Sequence, residues 1–278
     1  MRLGAPLFTQ TQDPQGWIAA VQAKGYRAAY CPLKPDADDA TVHAYRRAAD
    51  ANNIVIAEVG AWSNPLSPDP AVQKAALEKI TTSLHLADRI GARCCVNIAG
   101  SRGERWAGPS ALDLLDDTFE MIVQMTRAIL DEVQPTRTYF TLEAMPTMYP
   151  DSAESYLRLI AAIDRPNFAV HFDPANLVNC PHRYYNTGSL IRDFVAKLGP
   201  HIRSCHVKDV LMGNDALVHI DEVRPGLGTM DHATLLYELQ TLDADLPIML
   251  EHLPNEAEYD LAAGHLRGVA KQIGLEHL

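Results

Sequence analysis

Four short apolar runs of the sequence end in, or close to, side chains that bind metal ions. Glu143 ends TYFTLE, Asp173 ends FAVHFD, Glu251 ends PIMLE, and His206 lies near the end of IRSCHV. A buried carboxylate or imidazole is unfavourable without a partner, and one divalent cation can pair with all four groups. Any one of these acids alone is equally well explained as a helix cap or a salt bridge. Together, the four residues predict one metal site.

The ligand types indicate which ion this site binds. Three carboxylates and one imidazole form a set dominated by hard oxygen donors, which leaves positions open for water or a chelating substrate. We expect Mn²⁺, with Mg²⁺, Co²⁺ and Zn²⁺ as further candidates. Such a cation is a Lewis acid, and it stabilises the charge that forms when a carboxylate removes a proton next to a carbonyl group.

Strand-like runs alternate with amphipathic helical runs along all 278 residues. The predicted strands are 2–8, 26–33, 53–60, 92–100, 136–143, 167–173, 201–207 and 245–251. The predicted helices are 16–25, 39–53, 69–92, 111–133, 151–164, 189–199, 230–242 and 256–274. Eight such units without a linker rich in Gly, Ser or Pro predict an α/β fold, a single-domain (β/α)8 TIM barrel over residues 1–278. The alternative is an open doubly wound sheet, but no GxGxxG follows the first strand.

In such a barrel, the carboxyl ends of the strands form the catalytic face. Glu143, Asp173, His206 and Glu251 end strands five to eight, so their side chains are expected to converge on one point. His252 follows Glu251 directly. Because side chains alternate along a strand, we expect His252 to point outward into the helical layer.

Three further candidates lie close to these ligands in sequence. His171 precedes Asp173 by two residues and Lys208 follows His206 by two, so each shares the face of its neighbour. His171 is either a buried core histidine or a substrate-binding group. Lys208 either pairs with a carboxylate or holds a substrate oxygen, and the second interpretation is preferred. Asn176, in the segment after Asp173, can donate or accept a hydrogen bond from a substrate.

Two other regions supply candidate substrate contacts. Glu58 and Trp62 lie at the end of the third predicted strand, where a Trp ring offers a flat apolar face to a sugar or simply caps the barrel. His219 and Arg224 lie in the long segment 208–229, and long loops at this rim are usually functional. Arg224 is a candidate for gripping substrate hydroxyls, with a surface ion pair as the alternative.

The charge balance limits the choice of partner. The formal net charge is -11, which argues against a nucleic-acid partner because such binding depends on Lys and Arg. No apolar stretch reaches the roughly 20 residues that a membrane span needs. The five cysteines show no CxxC spacing and are typical of a reducing compartment. We expect a cytoplasmic protein that acts on a small molecule.

Several motifs resemble those of one known superfamily. The runs are TLEAMP, VHFDPAN, SCHVKD, RPGLGTMD and MLEHL. They are similar to those of the xylose isomerase-like barrel superfamily of sugar phosphate isomerases and epimerases, which also contains inosose dehydratases, C-glycoside deglycosidase subunits and endonuclease IV. The resemblance covers essentially the whole chain and is strongest over 137–253. It implies the metal ligands named above, a sugar or keto-sugar substrate and a homo-oligomer, either a dimer or a tetramer.

The resemblance also implies roles for individual residues. In the epimerases, the glutamates that correspond to Glu143 and Glu251 contact the metal and move protons on either face of a keto sugar. Endonuclease IV uses additional histidines for a multi-zinc cluster, whereas Asn97 and Asn176 stand in the corresponding regions here. A single metal is therefore expected, without a DNA repair role.

These observations predict a divalent-metal-dependent isomerase or epimerase of a sugar or keto sugar. Glu143 and Glu251 would be its catalytic residues, and an enediolate stabilised by the metal would be its intermediate. One alternative is a metal-dependent lyase that eliminates a group from a keto sugar or 3-keto-glycoside, with His171, Lys208 or His219 assisting the leaving group. Another is a non-catalytic, metal-dependent sugar-binding subunit.

Overall fold

Parallel strands alternate with helices in the computed structural model, which describes residues 1–11, 13–275 and 278. The strands are β1 (Arg2–Gly4), β2 (Ala28–Ala29), β3 (Val55–Ile56), β4 (Glu58–Gly60), β5 (Cys94–Asn97), β6 (Phe140–Glu143), β7 (Phe168–Phe172), β8 (Ile202–Val207), β9 (Asp209–Met212), β10 (Ile220–Val223) and β11 (Pro247–Leu250). The helices are α1 (Pro14–Ala23), α2 (Asp39–Ala51), α3 (Pro70–Ile90), α4 (Asp116–Val133), α5 (Ala153–Ile163), α6 (Pro181–Tyr184), α7 (Thr187–Leu198), α8 (His232–Gln240) and α9 (Glu256–Gln272). The predicted alternation is confirmed.

The strands follow one another around a barrel. Seven form a parallel sheet in the order β1-β11-β8-β7-β6-β5-β4, and β2 pairs with β3. The N–H of Arg27 donates to Leu3 and the N–H of Cys31 donates to Glu58, both at 3.0 Å, so β2 lies between β1 and the β3–β4 run. The predicted third strand, 53–60, is divided at Ala57, where it changes its partner from β2 to β5.

The helix boundaries follow from local chemistry. The Asp69 side chain accepts a hydrogen bond from the N–H of Ala71 at 2.8 Å, and Pro70 occupies the first turn of α3, where its missing N–H costs nothing. Gly91 ends the same helix with φ 77°, a conformation that favours glycine. None of the helices in the described part of the chain is long and apolar enough to cross a bilayer.

The predicted start of the fourth long helix at residue 111 is wrong, because α4 begins at Asp116. Residues 111–115 form turns instead, and these turns bring Asp113 into the interior. Its carboxylate accepts hydrogen bonds from Ser101 Oγ at 2.7 Å and from the N–H of Arg102 at 2.8 Å. The segment therefore anchors the loop after β5 and does not extend the helix.

The long segment after β8, which is predicted to be a loop, contains a β-hairpin. Strands β9 and β10 pair antiparallel, with Val210 opposite Glu222. The barrel strands themselves are buried on both faces, as in β7, where all five residues are inaccessible. This burial explains why those strands read as continuous apolar runs, and why a charged group at a strand end needs a partner.

The close approach of β1 and β2 generates a prediction for Gly4. A Cβ atom at this position would lie 2.5 Å from the Ala28 carbonyl oxygen and 2.7 Å from Met249 Sδ. We expect Gly4→Ala to lower the free energy of unfolding by about 1–3 kcal/mol, as overpacking does. Gly264 in α9, which has nothing within 4 Å, is the control, and Gly264→Ala is expected to stabilise the protein by about 0.5–1 kcal/mol. Urea denaturation measures the free energy of unfolding of both variants. Equal changes in the two would show that the space around Gly4 is not restricted.

Candidate functional site

The strand ends bring four ligand-type side chains together. Glu143 ends β6, Asp173 follows β7, His206 lies in β8, and Glu251 follows β11. One ligand atom from each lies within 4.8 Å of those of the others. Nδ1 of His206 lies 3.0 Å from Oε1 of Glu143 and 2.9 Å from Oε1 of Glu251. The structure therefore places the predicted quartet around one point.

Unsatisfied oxygen atoms show that this quartet fits a cation. Oδ2 of Asp173 and Oε1 of Glu251 are buried and receive no hydrogen bond within the described residues. The other oxygen of Asp173 accepts from the N–H groups of Ala175 and Asn176, at 2.9 and 3.2 Å. This arrangement fixes the carboxylate and leaves Oδ2 without a hydrogen-bond donor. Buried groups of this kind are normally satisfied, so the donor set fits a divalent ion.

The Lys208 ammonium lies among the same carboxylates. Its Nζ is 2.6 Å from Oε1 of Glu251, 2.7 Å from Oδ2 of Asp173 and 3.8 Å from Oε1 of Glu143, although these contacts lack hydrogen-bond geometry. Burial opposes the charge on Lys208, but the neighbouring carboxylates outweigh it and raise the pKa of the ammonium well above its usual value. Burial raises the pKa of the Asp173 carboxyl to about 7, although the Lys208 ammonium opposes the rise. Lys208 is therefore a tethered cation at the metal site.

Glu58 contacts His206, the histidine of the quartet, and orients its ring. Its carboxylate contacts Nε2 of His171 at 3.0 Å, Nε2 of His206 at 3.1 Å and Ser204 Oγ at 3.1 Å. Burial opposes ionisation, but the two histidines outweigh it and lower the pKa of Glu58 to about 2. An ionised carboxylate only accepts hydrogen bonds, so Nε2 of each ring carries the proton. Nδ1 of His206 is then the atom that faces a metal.

A cavity of about 680 Å³ opens above these groups. Of the predicted substrate contacts, Glu58, Trp62, Asn176 and Lys208 line it. The ring of Trp62 lies 6.2 Å from that of His206. Asn176 Nδ2 donates to Oε1 of Glu143 at 3.3 Å. These four residues share one space with Glu143 and Glu251.

The loop that carries Trp62 is fixed by a buried asparagine. Oδ1 of Asn97 accepts from the N–H of Ser63 at 3.0 Å, and its Nδ2 donates to the Ser63 carbonyl at 3.2 Å. Asn97 therefore satisfies the backbone next to Trp62. These hydrogen bonds give Asn97 a structural role. In a multi-zinc enzyme such as endonuclease IV, the resemblance implies an imidazole in this region instead.

Three of the predicted substrate contacts do not line the cavity. His219 is exposed and lies 2.8 Å from Asp221. Arg224 Nε donates to Glu258 at 2.8 Å, the ion pair that was its alternative interpretation. His171 is fully buried, with its ring centre 4.1 Å from that of His206. It therefore lies behind His206 and not in the wall of the cavity.

The predicted orientation of His252 is wrong. This residue has φ 59°, so the alternation of the strand stops before it, and β11 itself ends at Leu250. The side chain turns to the cavity wall, with Nδ1 at 3.1 Å from Glu222 and Nε2 at 3.5 Å from Glu251. The hydrogen bond to Glu222 raises the pKa of His252.

Sequence reasoning missed several residues of the cavity wall. Tyr30, Trp106 and Tyr259 line it. Glu222, which lies with His219 and Arg224 in the segment predicted to be a functional loop, also lines it. Tyr30 directly follows β2, so the rule that located the metal ligands also applies to it. Trp106 lies in an irregular loop, and no periodic pattern points to it.

The comparisons with known proteins agree with this arrangement. A family model described as a xylose isomerase-like TIM barrel matches residues 18–269. The chain belongs to the xylose isomerase-like TIM barrel family. No curated protein matches the chain in sequence.

Solved structures of different activities share the fold of this family member. D-psicose 3-epimerase from Clostridium cellulolyticum has 18% sequence identity and a TM-score of 0.69, over 99% of this chain and 100% of that one. A probable 3-DHS dehydratase from Bacillus anthracis has 17% identity and a TM-score of 0.68, over 94% of each chain. Endonuclease IV from Thermus thermophilus has 14% identity and a TM-score of 0.71, over 98% of this chain and 100% of that one. At these identities the likeness shows the fold alone.

The contacts of Glu58 predict its effect on metal binding. We expect Glu58→Gln to weaken Mn²⁺ binding by about 10- to 100-fold, because the neutral amide no longer holds Nδ1 of His206 toward the ion. Isothermal titration calorimetry measures the affinity. Glu258→Gln is the matched control, since Glu258 pairs with Arg224 outside the cavity. An unchanged affinity in Glu58→Gln would show that Glu58 does not orient the ligand.

The position of Lys208 gives a second prediction. Without metal, Lys208→Met leaves buried carboxylates unpaired and is expected to cost about 3–5 kcal/mol of unfolding free energy. Bound Mn²⁺ replaces the lost charge, so the rise in Tm on adding Mn²⁺ is expected to be larger in Lys208→Met than in the wild type. Lys197→Met, which removes a surface ion pair with Asp193, is the control. Equal rises in Tm would mean that Lys208 and the ion do not share the same carboxylates.

Proposed function

We propose that this protein is a divalent-metal-dependent enzyme that moves a proton next to the carbonyl group of a keto sugar, as an isomerase or epimerase. The observation that carries the proposal is the placement of two carboxylates, Glu143 and Glu251, against the same nitrogen of His206 on the floor of one cavity. Two bases that face one point can remove a proton from one face of a substrate and return it to the other.

The charge state of both glutamates suits this role. Burial opposes their ionisation, but His206 outweighs it and lowers the pKa of both carboxyl groups. Both are therefore ionised at neutral pH, as a base must be before it accepts a proton. When bound by Glu143, Asp173, His206 and Glu251, a divalent cation supplies Lewis acidity that stabilises negative charge on the carbonyl oxygen and the adjacent hydroxyl.

Other residues of the cavity hold the substrate in place. The Lys208 ammonium and the Asn176 amide offer hydrogen-bond donors beside the glutamates, so they can bind sugar oxygens close to the reacting carbon. Trp62 provides a flat apolar face for the ring. The net charge of -11 disfavours DNA as the substrate, although endonuclease IV shares the fold.

An elimination on the same keto sugar is the second candidate. It begins with the same proton abstraction but then needs an acid beside the leaving group. Lys208, 2.6 Å from Glu251, would be that acid, although the carboxylates around it raise its pKa and so make it a weak one. His171 is buried behind His206, and His219 lies outside the cavity, so neither is placed for this role.

Exchange of substrate hydrogen with solvent tests the proposal. The Mn²⁺-loaded protein in D2O, offered ketoses, inososes and 3-keto-glycosides, is expected to incorporate deuterium next to the carbonyl, and EDTA is expected to stop the exchange. Glu143→Gln and Glu251→Gln, each at saturating Mn²⁺, are expected to lower the exchange rate by about 100-fold or more, as loss of a general base does. Glu120→Gln on the exposed surface is the control.

The products separate the candidate functions. Exchange without release of a group supports the isomerase or epimerase, whereas release supports the lyase. Undiminished exchange in both glutamine variants would contradict the assigned bases. Metal-dependent sugar binding without any exchange would mean that the protein is a non-catalytic sugar-binding subunit.

A further inference from the structure

We infer that the substrate is a glycoside whose sugar ring carries a planar apolar group, and that the aromatic wall beside the metal site binds this group. The inference deepens the proposed function and rests on it for the sugar end of the substrate. The apolar part of the cavity, which proton transfer does not use, would then bind the planar group of the substrate. Trp106 is the residue on which the assignment chiefly depends.

The size of the cavity exceeds the need of a single sugar ring. Its volume is about 680 Å³, within the range of about 300–1,000 Å³ that is usual for pockets that enclose drug-sized ligands. A sugar ring bound between Glu143 and Glu251 would occupy only the floor. The remaining volume has room for a second group on the same molecule.

The polar side chains of the wall are all linked to the floor. Glu58 contacts His206 at 3.1 Å, and Asn176 contacts Glu143 at 3.3 Å. At the rim, Glu222 contacts His252 at 3.1 Å and Lys208 at 3.8 Å. The charged side chains and the Asn176 amide therefore form one connected group around the candidate metal site.

The rest of the wall is apolar and rich in aromatic rings. It is formed chiefly by Pro6, Tyr30, Trp62, Ile98, Trp106 and Met145. Tyr30 and Trp62 adjoin the floor, with ring centres 6.4 and 6.2 Å from that of His206. A flat apolar group is the chemistry that such a wall binds best, because aromatic pairs add stacking to the burial of apolar surface.

Trp106 extends this wall to the mouth of the cavity. Its side chain is 46% exposed and at the same time lines the cavity. Its loop is tied at the base by Asp113, which accepts hydrogen bonds from Ser101 and Arg102. The exposed ring is therefore held at the entrance by a buried anchor, where a ligand can cover it.

A second sugar ring is the competing occupant, because sugars also stack on Trp. Its hydroxyl groups would need hydrogen-bond partners around their edges, and a buried hydroxyl left unpaired costs about 1–3 kcal/mol. The apolar wall offers only the indole N–H groups of Trp62 and Trp106 and the hydroxyl of Tyr30, which already donates to the Leu250 carbonyl. The rim carboxylate of Glu222 is paired with His252. The lining thus favours an aromatic group over a disaccharide.

Equilibrium binding of matched glycosides tests the inference. The probes are phenyl and methyl β-D-glucosides, galactosides and xylosides, with cellobiose as the disaccharide, titrated into the Mn²⁺-loaded protein by calorimetry. For at least one sugar, the phenyl member is expected to bind about 10-fold more tightly than the methyl member or better. Trp106→Ala is expected to remove that preference and leave methyl glycoside affinity unchanged. Tyr185→Ala, an exposed aromatic outside the cavity, is expected to retain it.

The outcomes distinguish this inference from the proposed function. Equal affinity for phenyl and methyl members, tighter binding of cellobiose than of phenyl glucoside, a preference that survives Trp106→Ala, or no binding of any phenyl glycoside would each overturn it. These results do not depend on turnover. Loss of deuterium exchange with an intact phenyl preference would defeat the proton-transfer proposal alone, and exchange without a phenyl preference would defeat the aromatic-group inference alone.

Discussion

The burial of four carboxylates at one end of the barrel is the constraint on which this structure depends. Glu58, Glu143, Asp173 and Glu251 converge there, and two cationic groups, His206 and Lys208, lie among them. Two oxygens still receive no hydrogen bond within the described residues. Uncompensated buried charge is costly, so the surrounding residues are arranged to hold these groups and to leave room for a divalent cation.

The constraint connects the architecture with the chemistry. Parallel strands bring their carboxyl ends to one face of the barrel. Side chains at these strand ends therefore lie close together although they are far apart in sequence. Glu58 contacts Nε2 of both buried histidines and leaves Nδ1 of His206 facing Glu143 and Glu251. The same carboxylates that would bind the ion, Glu143 and Glu251, face the cavity where a substrate would bind. Binding of the metal and proton transfer would thus use one set of groups.

The sequence predicts the barrel and the quartet because both depend on regular strand geometry. Glu143 and Asp173 can be located from apolar runs alone, since the carboxyl end of each barrel strand lies at the same face of this fold. His252 could not be located, because its positive φ ends the alternation. The turns at 111–115 could not be located either. Only the folded loop shows that the Asp113 carboxylate is buried and accepts hydrogen bonds from Ser101 and Arg102. Trp106 was missed for the same reason, because its contacts come from a loop without a periodic pattern.

Anomalous diffraction at the manganese edge, from crystals grown with Mn²⁺, shows directly whether the quartet binds a divalent ion. One strong peak is expected at about 2.0–2.3 Å from Nδ1 of His206 and from an oxygen of each of Glu143, Asp173 and Glu251. The Lys208 ammonium is expected to move away from Asp173 or Glu251. A peak elsewhere, or no peak with Lys208 still between Asp173 and Glu251, would mean that the quartet does not hold the ion.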